Sequence, residues 1–318
     1  MAETLIQVGI LVATVVGLWV GARLLVDSAV RLARGAGLSE LAIGLTVVAA
    51  GTSAPELAVS IDAAYKGFGD IAVANVLGSN VYNLAFVLGV VALIRLIPIS
   101  QSLVRRDGVA LLAGTGIAGA LLVDLELGRL EGAALVGLLV LYIGYQLRAG
   151  RRASGTTDPD DISRDVTERV PVRGRDVLLL VAGLAVIIVS GDLLVGAAST
   201  LARGAGISEW VIGGTVVAAG TSTPEFAVSL VALRRGSVGV SVGNVVGSNL
   251  FNLLGVLGVA ALIRPLAVSS PAISTLGWLV AITVLMVVAL WSGRGLSRTE
   301  GGLFAGSEVV RWVLGLLG

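Results

Sequence analysis

No cysteine and no histidine occur among the 318 residues. Without thiols or imidazoles, disulfides, zinc centres, haem ligation and histidine-dependent nucleophilic catalysis are excluded, and any metal chemistry must rest on oxygen ligands. Hard cations move to the front. Charge is scarce as well, at 14% against about 25% in an ordinary soluble domain. With 56% hydrophobic residues and a mean hydropathy of +0.97, the composition is that of a membrane protein. The 22 basic and 21 acidic residues leave +1, so no nucleic-acid partner is implied.

Apolar stretches run over 5–22, 38–65, 71–95, 108–123, 132–147, 177–197, 207–233, 238–263, 272–292 and 301–317. A crossing takes about 20 apolar residues, which predicts ten transmembrane helices in an all-α integral membrane protein. The last stretch is the weakest, because Glu308 and Arg311 interrupt it. The first is expected to be a retained helix, since it has no positive leader and no small-residue cleavage site follows.

The chain repeats itself. GTSAPELAVS at 51–60 returns as GTSTPEFAVS at 220–229, and NVLGSNVYNLAFVLGVVALIR at 75–95 returns as NVVGSNLFNLLGVLGVAALIR at 244–264. The same offset of 169 (220 − 51) aligns LARGAGLSE at 32–40 with LARGAGISE at 201–209. Two five-helix repeats follow, 1–147 and 176–318, joined by a charged linker at 148–175. An odd number of spans per repeat inverts the second repeat in the membrane, as in secondary transporters. With the ten spans so drawn, 17 of the 22 basic residues fall on one side. The positive-inside rule then makes the linker cytoplasmic and both termini extracellular in a cell-membrane protein. The DPDD at 158–161 lacks the glycine and distal glutamate of an EF-hand loop.

Glu56 and Glu225 lie in the middle of apolar stretches, where a carboxylate costs about 2.5–3.5 kcal/mol even on lenient insertion scales. No basic residue lies between 35 and 65 or between 210 and 233 to pair with them. Each sits in Gly-Thr-Ser-x-Pro-Glu, where Pro55 and Pro224 have no amide hydrogen for the carbonyls of Gly51 and Gly220. Thr52, Ser53, Thr221, Ser222 and the loosened carbonyls become candidate cation ligands. In GSNVYN and GSNLFN, Ser79 with Asn83 and Ser248 with Asn252 are one helical turn apart, so each pair shares a face. Asn75, Asn80, Asn244 and Asn249 are expected to form interhelical hydrogen bonds. Two carboxylates among many neutral oxygens suit one Ca²⁺, which takes 6–8 oxygens in flexible geometry, or several Na⁺ in its place. Glu40, Glu209, Asp27, Asp62, Asp70, Asp107 and Asp124 read as capping or interfacial acids. Asp192 is deep enough in the sixth span to be a gate or a salt-bridge partner.

These motifs resemble those of the cation/calcium exchanger superfamily, and most closely the prokaryotic sodium/calcium exchangers. The resemblance covers both repeats. It implies four central sites formed by spans 2, 3, 7 and 8, with Glu56 and Glu225 shared between Ca²⁺ and Na⁺. Ligand roles are implied for Thr52, Ser53, Ser79, Thr221, Ser222 and Ser248, with carbonyl ligation from Ala49 and Ala218. It further implies that spans 1 and 6 slide across the core to alternate access. Some relatives carry an acid where Asn83 or Asn252 stands here, which makes dependence on K⁺ a poorer fit. The function expected is antiport of Ca²⁺ against Na⁺, without an enzymatic activity, a cofactor or an obligatory protein partner. The alternatives are a Ca²⁺/H⁺ or K⁺-dependent exchanger and, from another class, a passive cation channel.

Overall fold

The computed structural model describes residues 2–98, 103–153, 174–204, 218–293 and 295–317, and nearly all of them are helical. In chain order the helices are α1 (Ala2–Ala36), α2 (Glu40–Thr52), α3 (Ala54–Lys66), α4 (Gly69–Ile94), α5 (Val109–Leu121) and α6 (Arg129–Ala153). After the linker come α7 (Gly174–Gly204), α8 (Ala218–Thr221), α9 (Thr223–Arg234), α10 (Val238–Ile263), α11 (Pro271–Gly293) and α12 (Arg298–Leu317). Most of the linker, the DPDD segment, Glu209 and the start of the expected seventh span lie outside the described residues.

Burial ranks the helices. Over their most apolar stretches α4 and α10 are 72% and 78% buried, whereas α1 and α7 are 22% buried each. The first two are buried over most of their surface, so they form the centre. α1 and α7 lie together on the outside. Their backbones touch: a Cβ on Gly21 would stand 2.9 Å from the Gly183 carbonyl oxygen, and one on Gly183 would stand 2.8 Å from that of Gly21. α1 ends where Gly37, at φ +65, turns the chain and Leu38 donates its N–H to the Ala33 carbonyl at 2.8 Å, a left-handed C-terminal cap.

The two halves meet through contacts that come in matched pairs. Strand β1 (Ile97–Pro98) pairs antiparallel with β4 (Gly295–Leu296), and β2 (Glu126–Leu127) pairs antiparallel with β3 (Leu266–Ala267). Shifting by 169 turns Ile97↔Leu296 into Leu266↔Leu127, so each ladder is the image of the other. Arg129 reaches the Ile263 carbonyl at 3.4 Å, and its image Arg298 reaches that of Ile94 at 3.5 Å. Glycine crossings repeat the pattern: a Cβ on Gly132 would be 2.7 Å from the Gly258 oxygen, and one on Gly301 would be 2.6 Å from the Gly89 oxygen.

Among the described residues six helices are long and apolar enough to cross a membrane, and a seventh crossing results if α2 and α3, bent by 46°, count as one span. Three expected spans fall short of that measure. α5 has only 13 residues of regular helix, because 103–108 is wound as a wider π-turn. The described part of the seventh begins only at Ala218. α12 is a continuous helix but carries Arg298, Glu300, Glu308 and Arg311. The last two neutralise each other through a two-pronged ion pair at 2.8 and 2.5 Å, which lets a carboxylate at 1% exposure persist in an apolar helix.

The glycine crossings generate a stability prediction. Gly301→Leu or Gly132→Leu forces a side chain into backbone less than 3 Å away and should cost about 1–3 kcal/mol. Thermal unfolding in detergent should show a lowered midpoint for both. Gly137→Ala, which meets nothing within 4 Å, should leave the midpoint in place.

Candidate cation-binding site

Both Gly-Thr-Ser-x-Pro-Glu segments fold as a broken helix rather than a kinked one. α2 stops at Thr52, Ser53 takes φ −80 and ψ 10, and α3 restarts with Pro55 in its first turn. α8, Ser222 (φ −89, ψ 7) and α9 with Pro224 repeat the break. Proline suits a helix start, where its missing N–H is not needed. Glu56 and Glu225 therefore stand in the first turns of new helices, where the exposed N–H groups and the helix dipole favour a negative charge.

The break turns each carboxylate toward the opposite half. Ser222 donates its hydroxyl to Glu56 Oε1 at 2.9 Å, and Ser53 donates to Glu225 Oε1 at 3.1 Å. Ser79 also faces Glu56, as Ser248 and Thr52 face Glu225, and the carboxylates are close enough to repel one another. All of these groups are at 0% exposure. The Thr52 hydroxyl lies 3.0 Å from Asn244 Oδ1, 3.3 Å from the Ala49 carbonyl and 3.3 Å from Ser248 Oγ, and Ser248 is itself 3.5 Å from the Ala49 carbonyl.

A second set of bonds holds the glutamate helices in register. Asn75 donates its amide to the Glu56 carbonyl at 3.0 Å and to Ser60 Oγ at 2.9 Å. Its image Asn244 donates to the Glu225 carbonyl at 3.2 Å and to Ser229 Oγ at 3.1 Å. Asn80 crosses to the Asn249 carbonyl on α10 at 3.1 Å. These three asparagines are interhelical, as expected. Asn249 is not: its amide turns back to the Val245 carbonyl of its own helix at 2.7 Å, because its backbone oxygen, not its side chain, meets α4.

Asn83 and Asn252 sit at the start of π-turns, Tyr82–Val87 and Phe251–Val256. Such turns insert a residue into the helical register and concentrate at functional sites. The turn bearing Asn83 packs on α9 and that bearing Asn252 packs on α3, so each turn lies against the glutamate helix of the other half. Phe86 meets Phe226, the residue after Glu225, at 5.8 Å between ring centroids.

The donor set fits a partly dehydrated hard cation. Glu56 Oε2, Glu225 Oε2, Asn83 Oδ1 and Asn252 Oδ1 are buried without any hydrogen-bond donor from the protein. Buried polar oxygens are costly unless something satisfies them. Neither glutamate has an ion-pair partner among the described residues, and no cluster of three or more acidic side chains occurs among them. Two carboxylates amid neutral oxygens are thus the charge on offer. Of the other expected ligands, Thr221 is buried at the end of α8, and Ala218 is the first described residue of that helix.

Two acidic residues, Asp192 and Asp107, differ from expectation. Asp192 is exposed and makes no ion pair among the described residues. Its image Arg23 instead lies over the Trp19 ring at 5.7 Å. Asp107, expected at an interface, is at 0% exposure, clamped by Arg106 at 3.0 and 2.9 Å and by Gln146. Gln146 lies 39 residues on, in α6, so nothing local in the sequence announces the contact. Asp27 pairs with Arg235 at 3.1 Å. Glu40 follows its N-cap Ser39, as expected.

With this geometry, the molecule is a multi-pass membrane protein with a buried, oxygen-lined candidate cation site at its centre. Residues 6–148 and 176–313 match the model of the sodium/calcium exchanger protein family. The chain belongs to that family, whose members are transporters rather than enzymes. It is 33% identical over 329 residues to the inner membrane protein YrbG of Escherichia coli, covering 100% of this chain and 99% of that protein. It is 31% identical over 315 residues to the sodium/calcium exchanger MaX1 of Methanosarcina acetivorans, covering 88% of this chain and 90% of that protein. The structure of the sodium-calcium exchanger NCX_Mj soaked with Na⁺ and Sr²⁺ superposes with a TM-score of 0.82 at 29% identity, over 96% of this chain and 97% of that one.

The reciprocal serines generate the next prediction. Ser53→Ala and Ser222→Ala each remove one hydrogen bond to a carboxylate, a contact worth about 1.5–3 kcal/mol. Each should weaken half-saturation of cation transport by about tenfold or more. The two effects should be of similar size, because the bonds are images of one another.

Proposed function

We propose that the protein is a secondary antiporter that exchanges Ca²⁺ for Na⁺ by alternating access. The observation that carries this reading is the reciprocal pair of buried glutamates, each bonded by a serine from the opposite half. In this reading Ca²⁺ is held by Glu56 and Glu225 together, with oxygens from Thr52, Ser53, Ser79, Asn83, Thr221, Ser222, Ser248 and Asn252 and the carbonyls of Ala49 and Ala218. Two negative charges balance one divalent ion. Na⁺ ions occupy overlapping positions that use the same carboxylates, so the two cargoes displace each other, and that competition is the coupling.

The twelve helices then make ten spans, with α2–α3 and α8–α9 each one broken span, in two inverted five-span repeats, 1–147 and 176–318, with the linker 148–175 cytoplasmic and both termini extracellular. Conserving burial of the site while its access changes sides assigns the movement to the lightly packed α1–α7 pair, which slides against the core built on α4 and α10. No cofactor or obligatory protein partner enters the scheme.

Proteoliposomes loaded with Na⁺ and diluted into Na⁺-free buffer should take up radioactive calcium, and a proton or potassium gradient alone should not drive uptake. Uptake driven by the proton gradient, and indifferent to Na⁺, would instead establish the Ca²⁺/H⁺ reading. Conductance without counter-transport would establish a channel. Glu56→Gln and Glu225→Gln should each lower uptake by about a hundredfold or more, since removing one charged partner from a buried ionic contact costs about 3–5 kcal/mol.

A further inference from the structure

The pseudo-symmetry that relates the two halves fails at several charges, and one of these failures lies where the outer helices meet the glutamate helices. Arg235 closes α9, the helix that starts with Glu225, and reaches across to Asp27 of α1 at 3.1 Å. The image of Arg235 is Lys66, which closes α3, the helix that starts with Glu56. Lys66 makes no such crossing: it bonds Asp62 on its own helix at 2.7 Å. The image of Asp27 is Gly196, which has no side chain to answer, and the image of Asp62 is the buried Val231. Among the described residues, one end of the molecule therefore ties an outer helix to the core by this ion pair and the other end does not.

Two further contacts make the tie a unit. Arg31, one turn beyond Asp27, holds Asp176 at the start of α7 at 2.7 Å, so α1 and α7 are joined at this same end. Between α1 and the core, Asp27, Arg31 and Arg235 line an open cavity of ≈ 270 Å³ together with Val26 and Val30. The bridge spans the mouth of a cleft that would widen if α1 moved away.

We infer that the Asp27–Arg235 pair is a latch that holds α1 and α7 against the core on one face of the membrane and biases the exchanger toward the state open on the other face. This rests on the alternating-access reading proposed above, and the arginine-rich loops at this end assign the latched face to the cytoplasm. Both side chains are about one third exposed, so the bias is modest and reversible, as exposed pairs are. A latch buried from water would stop turnover. This one tilts the resting distribution and yields to salt.

The absence of native cysteine makes the test clean. Val26→Cys, at 1% exposure beside the latch, is labelled with a membrane-impermeant thiol reagent applied from the cytoplasmic face. Adding Asp27→Asn or Arg235→Gln should raise the labelling rate about two- to fivefold, the range an exposed ion pair supports, and high salt should raise it in the parent. The exchanged pair Asp27→Arg with Arg235→Asp should return it to the parent rate, which a merely misfolded variant would not do. Unchanged labelling, faster labelling from the extracellular face only, or no rescue by the exchanged pair overturns the latch. Sodium-driven calcium uptake is read on the same vesicles, so failure of the antiport reading appears in the flux and failure of the latch in the labelling.

Discussion

Two like charges buried side by side without a basic partner are the constraint from which the rest of this structure follows. Glu56 and Glu225 are at 0% exposure and repel each other, a condition that an apolar interior tolerates only with compensation. The protein supplies part of it in fixed form. Each carboxylate stands at a helix start and accepts a hydroxyl from the opposite half, and both sources of positive potential are neutral overall. What remains uncompensated is the net charge, which in the proposed exchange a mobile cation would balance. A lysine in the same place would have made the centre permanently stable and incapable of exchange.

Fixed dipoles of this kind act only if their aim is held. The broken helices set the carboxylates at the centre, and Asn75 and Asn244 lock the carbonyls of the glutamates themselves. Precision is thus imposed on the backbone that carries the charge, while one oxygen of each carboxylate is left without a protein donor. The same division holds on the larger scale. α4 and α10 are embedded, whereas α1 and α7 contact the core along one side and join each other through bare glycine backbone.

Much of the site was legible in the sequence because duplication acts as an internal alignment. Glu56, Glu225 and their flanking hydroxyls stand out by recurring at a fixed offset in an otherwise apolar background. The pairing across halves was not legible. Nothing in the spacing of residues 51–60 says that Ser53 answers Glu225 rather than Glu56, since that depends on how the halves dock. The π-turns at Asn83 and Asn252 escaped for a similar reason: they are changes of register within an unbroken apolar pattern. Asp107 was misplaced because its neighbour Arg106 marks an interface, while the residue that buries it, Gln146, is on another helix. The expected span 108–123 is matched closely by α5, which is simply too short to count as a crossing by length.

The paired strands carry a consequence for how such a chain could be assembled at all. Ile97↔Leu296 and Leu127↔Leu266 are a single contact seen twice, and so are the two arginine–carbonyl bonds and the two glycine crossings. A surface that meets its own copy in this way is isologous, the hallmark of a two-fold homodimer. Every one of these contacts would be satisfied by two identical half-length chains. These contacts therefore do not depend on covalent fusion of the halves. What fusion permits is divergence: once the copies are joined, arginine can become threonine on one side, and an aspartate can be kept where its counterpart is glycine.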